Sequence, residues 1–501
     1  MIPMAVRLLA SLAVFGLVLV AAEPQAQSTR VRKSWATYTS DEKELYLSAV
    51  EKAMTSGNHL LFTQTYMDSG SLAQVVNTCG APAWYRKWLF GYETMLRSLD
   101  STFSEITLPY WDIFEDAAKR MSTSTQCSGI ESCSPILQDF GGCEGEEYSV
   151  GDYVVNGVKV VGANCANSSV AAHACTSSSE CENCIPRGDW DIDGSSLEFG
   201  PTTFVDLLRQ ANDASSDSSS SGSAMDTLRE AIQKSVQLTL HSLLGGVYET
   251  RAAAFDPIFV NHYATLDMVY QFFQSCNQSI ALTGSCAGNG GFKVSPTATI
   301  PMKIDDTSVE KHSELSDFFE NAGTTFKNVN SLPVKYEVDA FLQNMLKEFS
   351  LECDSETSAT GAISYATKKS TFEDADGINS LVDAFALCDQ TSSLKGTTVW
   401  EPSAFIACEL LASLQNGVFT NFSTPVRDFF GVTQDDLPKC VDELAAVATL
   451  EVTVKPSTTC QNAIMEVASI DTGDFKTVTD GFAIVTRGAE DGNVRYMNPS
   501  T

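Results

Sequence analysis

Basic residues are scarce in this chain of 501 residues. It contains 32 Lys and Arg residues against 63 Asp and Glu residues, which gives a formal net charge of −31. Proteins that bind nucleic acid neutralise phosphates with clustered Lys and Arg, so this composition argues against nucleic acid as a partner. An acidic surface favours solubility through self-repulsion, or a cationic partner.

Long apolar runs are missing from the chain after its first residues. Residues 8–22 are apolar, follow Arg7 and end in two small residues, Ala21 and Ala22. This is the pattern of a secretory signal peptide over residues 1–22, and it is short for a membrane span. A retained signal anchor is the alternative. We expect a secreted, extracellular protein with no membrane span after signal cleavage.

Histidine is also rare, whereas cysteine is abundant. The chain has five histidines and 15 cysteines. The pair Cys181 and Cys184 has CxxC spacing, but neither a second CxxC nor a histidine pair at zinc-finger spacing accompanies it, so the pattern supports a redox or zinc site only weakly. Because the cysteine total is odd, one thiol is either free or bonded to another molecule.

The cysteines and sequons fit an oxidising compartment. Seven cysteines lie between Cys127 and Cys184, in a Gly- and Ser-rich stretch where we expect disulfides but little regular structure. The sequence contains three N-glycosylation sequons. The candidate glycosylation sites are Asn167, Asn277 and Asn421.

Two sequence blocks carry the strongest functional signal. The first runs from Cys79 to Glu93 through Trp84-Tyr85-Arg86 and is followed by Leu108-Pro-Tyr-Trp-Asp112. The second runs from Asp256 to Asp267 and reads DPIFVNHYATLD. Together they resemble the two copper half-sites of the tyrosinase, catechol oxidase and molluscan haemocyanin family. The resemblance covers residues 32–276 and implies a helix bundle around two coppers.

The resemblance also identifies the positions where copper ligands are expected, and most of them do not carry histidine. The family uses six histidines, because imidazole tolerates both copper oxidation states, and this chain has five in total. A complete site is therefore excluded by number. The matched positions carry Tyr66, Val76, Tyr85, Gln237, His241 and Tyr263. His262 is adjacent to the last position, but successive helical residues are rotated by roughly 100°.

These side chains are poor copper ligands. Valine has no lone pair, an amide binds copper weakly, and a phenol must first lose its proton. We therefore expect no copper, with bulky aromatic rings filling the old metal cavity. A single copper held by Tyr85, Tyr263 and His241 is the alternative. The resemblance gives the remaining matched residues a framework role: Arg86, Glu93, Asp112, Asp256 and Asp267.

The organisation that we predict is a mainly α fold: a tyrosinase-like antiparallel helix bundle with long disulfide-stapled loops, and a mixed α/β C-terminal region. The bundle occupies residues 28–289, with a loop-rich insert at 114–200 and a Ser-rich connector at 214–224. Residues 290–501 have no assigned role. A capping box at Thr39 and Glu42 predicts the start of the first helix. Helical spacing predicts further helices over 83–99, 202–211, 225–244, 257–275, 338–349 and 403–414. Residues 450–454 form a β-prone run, which predicts a strand.

Three functions follow from these observations. The first is a secreted, degenerate, copper-poor member of the tyrosinase family that acts as a binding or structural protein, with a cationic or phenolic ligand. The second is a phenol or catechol oxidase with an unorthodox copper site. The third is a different activity in the C-terminal half.

Overall fold

The computed structural model of the chain describes 18 segments. They are residues 29–122, 127, 129–147, 153–160, 164–177, 181–190, 200–216, 224–276, 284–349, 351–353, 363–365, 378–396, 401–414, 418–419, 422–448, 452–468, 484–487 and 494–497. The predicted signal peptide and the sequons at Asn277 and Asn421 lie outside them. Asn167 lies within them and is exposed.

Helices dominate the described residues, which confirms the predicted fold class. The α-helices are α1 Ser40–Thr55, α2 Asn58–Met67, α3 Ala81–Ser98, α4 Ile113–Met121, α5 Ile130–Cys133, α6 Pro135–Asp139, α7 Thr203–Ser216, α8 Ala224–Ile232, α9 Leu238–Leu244, α10 Ile258–Cys276, α11 Ser316–Phe319, α12 Phe326–Val329, α13 Ala340–Glu348, α14 Ile378–Thr391, α15 Pro402–Leu414, α16 Thr424–Phe430, α17 Lys439–Ala448 and α18 Thr458–Ala468.

The strands are short and form several small sheets. They are β1 Arg30–Arg32, β2 Gly145–Glu147, β3 Val154–Val155, β4 Val158–Lys159, β5 Asn164–Ala166, β6 Ile185–Arg187, β7 Cys286–Ala287, β8 Lys293–Val294, β9 Lys303–Ile304, β10 Thr307–Ser308, β11 Val334–Tyr336, β12 Leu351–Cys353, β13 Ile363–Tyr365, β14 Ser393–Lys395, β15 Val418–Phe419, β16 Thr453–Lys455, β17 Ile484–Arg487 and β18 Val494–Met497. β1 pairs in parallel with β11, and the other described pairs are antiparallel.

The central bundle forms where the helical patterns predict it. The capping box is present at α1, where the Thr39 side chain accepts a hydrogen bond from the Glu42 backbone and the Glu42 side chain accepts one from the Thr39 backbone. α3 buries most of its residues and packs against α10 and α11. Gly91 in α3 allows the close approach of α11, because a Cβ there would lie 2.3 Å from the Phe319 ring.

The helix predicted over 225–244 is interrupted in its middle. α8 and α9 are joined by a π-helical turn at Gln233–Gln237, a feature that periodicity alone does not reveal. α9 then ends at two glycines with positive φ, Gly245 and Gly246. A Cβ on Gly246 would lie 2.3 Å from the carbonyl oxygen of Pro186, so the turn requires glycine.

The expectation of little regular structure between Cys127 and Cys184 is wrong. β2, β5 and β6 form a three-stranded antiparallel sheet, and β3 pairs with β4. Strands of two or three residues are too short to give a detectable alternation of apolar and polar residues. The helix predicted over 202–211 forms but extends to Ser216, into the first part of the predicted connector.

The predicted disulfides are present in both halves of the chain. Cys181 and Cys184 bond to different partners, which removes the CxxC interpretation. The described bridges are Cys79–Cys286, Cys127–Cys133, Cys165–Cys184, Cys175–Cys181, Cys388–Cys460 and Cys408–Cys440. Within the described ranges, no helix has the length and apolarity needed to cross a bilayer.

The C-terminal region packs directly on the bundle. Besides the β1–β11 pair, Trp84 Nε1 donates to the Pro301 carbonyl oxygen at 2.9 Å, and Lys439 of α17 forms a buried ion pair with Asp206 of α7 at 3.1 Å. The predicted segments 338–349 and 403–414 are helical, and 453–455 is a strand. Residues beyond 290 therefore contribute to the same packed body as the bundle.

Candidate functional site

Five of the six positions matched to copper ligands meet in one buried cluster. We call Tyr66, Tyr85, Gln237, His241 and Tyr263 the central cluster; each is at most 7% exposed. They come from α2, α3, the π-helical turn, α9 and α10, respectively. The residues that recur at helical spacing along α10 are all buried, so Tyr263 points inward; they are Phe259, Tyr263, Leu266, Tyr270 and Phe273.

Hydrogen bonds link four of these side chains in a defined direction. His241 Nδ1 lies 2.7 Å from the Tyr248 backbone carbonyl oxygen, so it carries the proton and donates. His241 Nε2 is then the acceptor for the Tyr263 hydroxyl at 2.9 Å. Gln237 Nε2 donates to the Tyr263 oxygen at 2.9 Å and to the Tyr85 oxygen at 3.3 Å. Both nitrogens of His241 are therefore committed.

His262 lies beside the central cluster and faces a different partner. Its Nδ1 is 2.7 Å from the Tyr248 hydroxyl, while its Nε2 is buried without a hydrogen-bond partner. The rings of His241 and His262 are 5.9 Å apart. Tyr248 thus contacts both histidines, one through its carbonyl and the other through its hydroxyl. The sequence reasoning missed Tyr248; its position just after Gly245-Gly246 was the available signal.

The remaining candidate ligands take no part in this hydrogen-bonded chain. Tyr66 packs edge-on against Phe259 at 4.8 Å, and its buried hydroxyl makes no hydrogen bond of normal geometry. Val76 lines a neighbouring cavity. His59 is bonded elsewhere: Nδ1 pairs with the Tyr92 hydroxyl and Nε2 with the Phe255 carbonyl oxygen, both at 2.8 Å.

Burial keeps the titratable groups of the site neutral. Desolvation lowers the pKa of His241 to about 4 and that of His262 well below its ordinary value. Desolvation also raises the pKa of the Tyr85, Tyr263 and Tyr66 phenols, and neighbouring phenols add to the rise at Tyr263 and Tyr66. At neutral pH the site therefore holds phenols and imidazoles without charge.

This donor set does not fit a coupled pair of copper ions. Copper would have to replace the hydrogen bond between His241 and Tyr263, and the phenols would have to lose protons that burial makes harder to remove. Groups of three metal-binding side chains do occur elsewhere in the described part of the chain. They are Asp112, Glu115 and Asp339, and Cys408, Cys440 and Glu443, of which Cys408 and Cys440 are in a disulfide.

Four of the five framework residues form buried ion pairs around the cluster. Arg86 Nε donates to Asp267 Oδ1 at 2.7 Å, which joins α3 to α10. Glu93 accepts from Arg30 at 3.1 Å and from Arg32 at 3.0 Å, which attaches β1 to α3. Asp256 pairs with Arg187 of β6 at 2.8 Å. Asp112 has a different role and caps the start of α4.

Residues of the C-terminal region cover the central cluster. Phe430 of α16 lies 5.1 Å from the His241 ring, and Phe429 lies 5.7 Å from the Tyr66 ring. No motif in the sequence pointed to this contact. Outside these two rings is a cavity of about 880 Å³ whose wall includes Val76, Glu249 and Arg251, a size within the range of small-molecule sites.

Comparisons with known proteins agree with the sequence blocks. Residues 56–276 match the family model for the common central domain of tyrosinase. The tyrosinase of Streptomyces glaucescens is 33% identical over 99 residues, which cover 18% of this chain and 35% of that protein. The tyrosinase of Streptomyces galbus is 31% identical over 101 residues, which cover 18% and 36%. The chain spans about a third of the length of these curated relatives.

Solved structures give a weaker match. A mutant polyphenol oxidase from Thermothelomyces thermophila aligns with 62% of this chain and 89% of its own, at 13% identity and a TM-score of 0.36. A latent aurone synthase, also a polyphenol oxidase, aligns with 63% of this chain and 60% of its own, at 14% identity and a TM-score of 0.34. These scores are too low to support an inference about the site.

Proposed function

Because residues 56–276 form a tyrosinase-family domain, we propose that this chain is a degenerate, copper-free or copper-poor member of that family that acts as a secreted binding or structural protein. The observation that carries the proposal is the direction of the hydrogen bonds in the central cluster. The only imidazole at a matched ligand position, His241, donates through one nitrogen and accepts through the other. The hydrogen bond from the Tyr263 hydroxyl occupies the Nε2 lone pair, which a metal would have to displace.

The packing around this chain of hydrogen bonds supports the same proposal. The tilted rings of Tyr85 and Tyr263 lie 4.6 Å apart, and the rings of Phe259 and Tyr263 stack at 3.9 Å. These rings occupy volume and bury apolar surface, which stabilises a bundle at about 25 cal/mol per Å². A metal pair is then unnecessary for holding the helices together.

The cavity outside Phe429 and Phe430 is the place where we expect a ligand. Those two rings give it an apolar wall, while Glu249 and Asp428 supply carboxylates beside the basic Lys159 and Arg251. An aromatic molecule with a cationic or phenolic group matches this combination, because the ring would pack on the phenylalanines and the polar group would reach an acidic side chain.

Metal content and catechol turnover test the proposal. We expect protein secreted from copper-replete cells to contain far less than one copper per chain and to leave catechol unoxidised. Two coppers per chain with catechol oxidation would contradict it. One copper with turnover would support the alternative, an oxidase whose copper is held by His241, Tyr263 and Tyr85; the 2.9 Å contact between the first two is the observation in its favour.

Restoring the ligands is the converse test. The variant combines the substitutions Tyr66→His, Val76→His, Tyr85→His, Gln237→His and Tyr263→His. If the scaffold has kept the family geometry, this variant gains copper affinity over the wild type, measured by bound metal after dialysis. A folded variant that gains none would show that the residue matching is wrong. The matched control replaces the buried His59, which is bonded elsewhere, with Gln.

A further inference from the structure

We propose that Asp112, Glu115 and Asp339 bind a divalent cation of the calcium class. Each of these residues offers a carboxylate oxygen, and the three oxygens lie within 4.8 Å of one another. Hard cations such as Ca²⁺ prefer oxygen ligands, carboxylates above all. The site shares no residue with the central cluster and is independent of the function proposed above.

Two of these carboxylates each have one oxygen in use and one without a partner. Asp112 Oδ1 accepts from the Phe114 and Glu115 amides at 3.2 and 3.0 Å, and Asp339 Oδ1 accepts from the Leu342 amide at 3.0 Å. The Oδ2 atoms of both aspartates are buried with no hydrogen-bond partner. Asp112 is 4% exposed and Asp339 is 9% exposed. Asp112 and Asp339 lie within hydrogen-bonding reach of each other. Buried polar atoms without a donor are costly, so the two Oδ2 atoms point to a missing proton or cation between them.

The charges around the three carboxylates are not balanced. Lys119 Nζ lies 3.4 Å from Glu115 but also 3.2 Å from Asp116, so two carboxylates share its charge. Neither Asp112 nor Asp339 forms an ion pair with any described residue. Carboxylates this close repel one another unless a proton or a cation lies between them. Burial and the neighbouring Asp339 accordingly raise the pKa of Asp112.

Geometry favours the cation over a shared proton. A shared proton serves two carboxylates, whereas a third one, the half-buried Glu115, converges on this pair. Asp112 and Glu115 also line a small pocket together with Trp111. A bound ion would join the start of α4 in the bundle to the start of α13 in the C-terminal region.

The experiment uses the full chain, freed of metal with a chelator and dialysed at pH 7.5. Calcium at a hundredfold excess over the dissociation constant should raise the melting temperature by about 2 to 3 °C, because it binds only the folded state. Terbium should give luminescence when tryptophan is excited, since Trp111 is adjacent to the site, and calcium should displace it.

Isosteric variants separate the cation from a shared proton. Asp112→Asn and Asp339→Asn keep a capping oxygen but lose the charge, so each should lower calcium affinity at least tenfold. The control, Glu44→Gln, neutralises an exposed carboxylate of α1 and should respond to calcium as the wild type does. An equal calcium response in Asp112→Asn and wild type would overturn the proposal.

The shared-proton arrangement predicts a different pair of results. In that case calcium leaves the wild-type melting temperature unchanged, and Asp112→Asn raises it at neutral pH, because the new amide donates to Asp339 permanently. This outcome also overturns the proposal. Should both aspartate variants fail to fold, the terbium signal of the wild type decides: emission that calcium displaces supports the site, and its absence rejects it.

Discussion

The frame of the bundle and its centre use different chemistry, although both are buried. In the frame, charged side chains pair with one another, as in Arg32 with Glu93 and Arg86 with Asp267. In the centre, neutral phenols, an amide and an imidazole exchange hydrogen bonds. At the positions matched by the resemblance, the frame carries charged residues, whereas the centre carries phenols, an amide, a valine and one imidazole. The ion pairs of the frame join α3 to α10 and to β1, and these contacts use none of the side chains at the centre.

The largest effect is expected from breaking the frame. Glu93→Gln removes the charge that faces Arg30 and Arg32, and should lower the free energy of unfolding by about 3 to 5 kcal/mol, because two guanidinium groups stay buried with too little negative charge. Urea denaturation at pH 7 measures this change.

The control for that prediction is an ion pair at the surface. Glu105 is 88% exposed and lies 3.9 Å from Arg97, so Glu105→Gln should change stability by less than about 0.5 kcal/mol. If the two variants are equally stable, the frame does not carry the fold.

A smaller effect is expected when the centre is charged by acid. His241 has a folded-state pKa of about 4 and an unfolded value near 6.5, so its contribution is complete above pH 6.5 and is lost as the pH falls toward 4. The loss should reach about 3 kcal/mol. Glu93, whose pKa the charges of Arg32 and Arg30 lower despite burial, also loses its contribution as the pH falls, but only below about pH 4.5.

The variant His241→Gln isolates the contribution of the His241 imidazole to the pH dependence of stability. The titratable groups that face His241 are Tyr263, Tyr248 and His262. The two phenols stay neutral in this pH range. Protonation of His262 lowers stability in both the wild type and the variant. The wild type should lose more stability than His241→Gln between pH 6.5 and 4 in urea denaturation. Parallel pH profiles would show that the imidazole is not desolvated.

The smallest effects come from single hydroxyl groups within the centre. Tyr263→Phe removes an atom that accepts from Gln237 and donates to His241, and should cost about 1 to 3 kcal/mol because both partners remain buried. Tyr66→Phe deletes an equally buried hydroxyl that makes no hydrogen bond of normal geometry, and should change stability by less than about 0.5 kcal/mol. Thermal unfolding of the pair, at one pH, compares them; equal losses would refute the hydrogen-bonded chain.

The sequence was most informative where structure depends on local signals. The capping box at Thr39 and the helical spacing through α3 and α10 identified the bundle, because periodic burial is visible in the residue order. The same spacing placed Tyr263 on the buried face of α10. The resemblance then brought Tyr66, Tyr85, Gln237 and His241 to the same place.

What the sequence did not reveal depends on contacts between distant segments. The π-helical turn before Gln237 leaves no periodic signal, and the sheet of β2, β5 and β6 is made of three-residue strands. Phe430 reaches His241 from almost 190 positions away along the chain. A contact of this kind follows from tertiary packing, so neither composition nor spacing predicts it.

The disulfide between Cys79 and Cys286 has a practical consequence for handling the protein. It joins positions 207 residues apart, at the approach to α3 and in β7, and so encloses the insert, the Ser-rich segment and α10 in one covalent ring. A protease that cuts once anywhere inside this ring leaves a two-piece molecule of almost unchanged mass. Nicked material would therefore migrate as intact protein on a gel until a reducing agent is added.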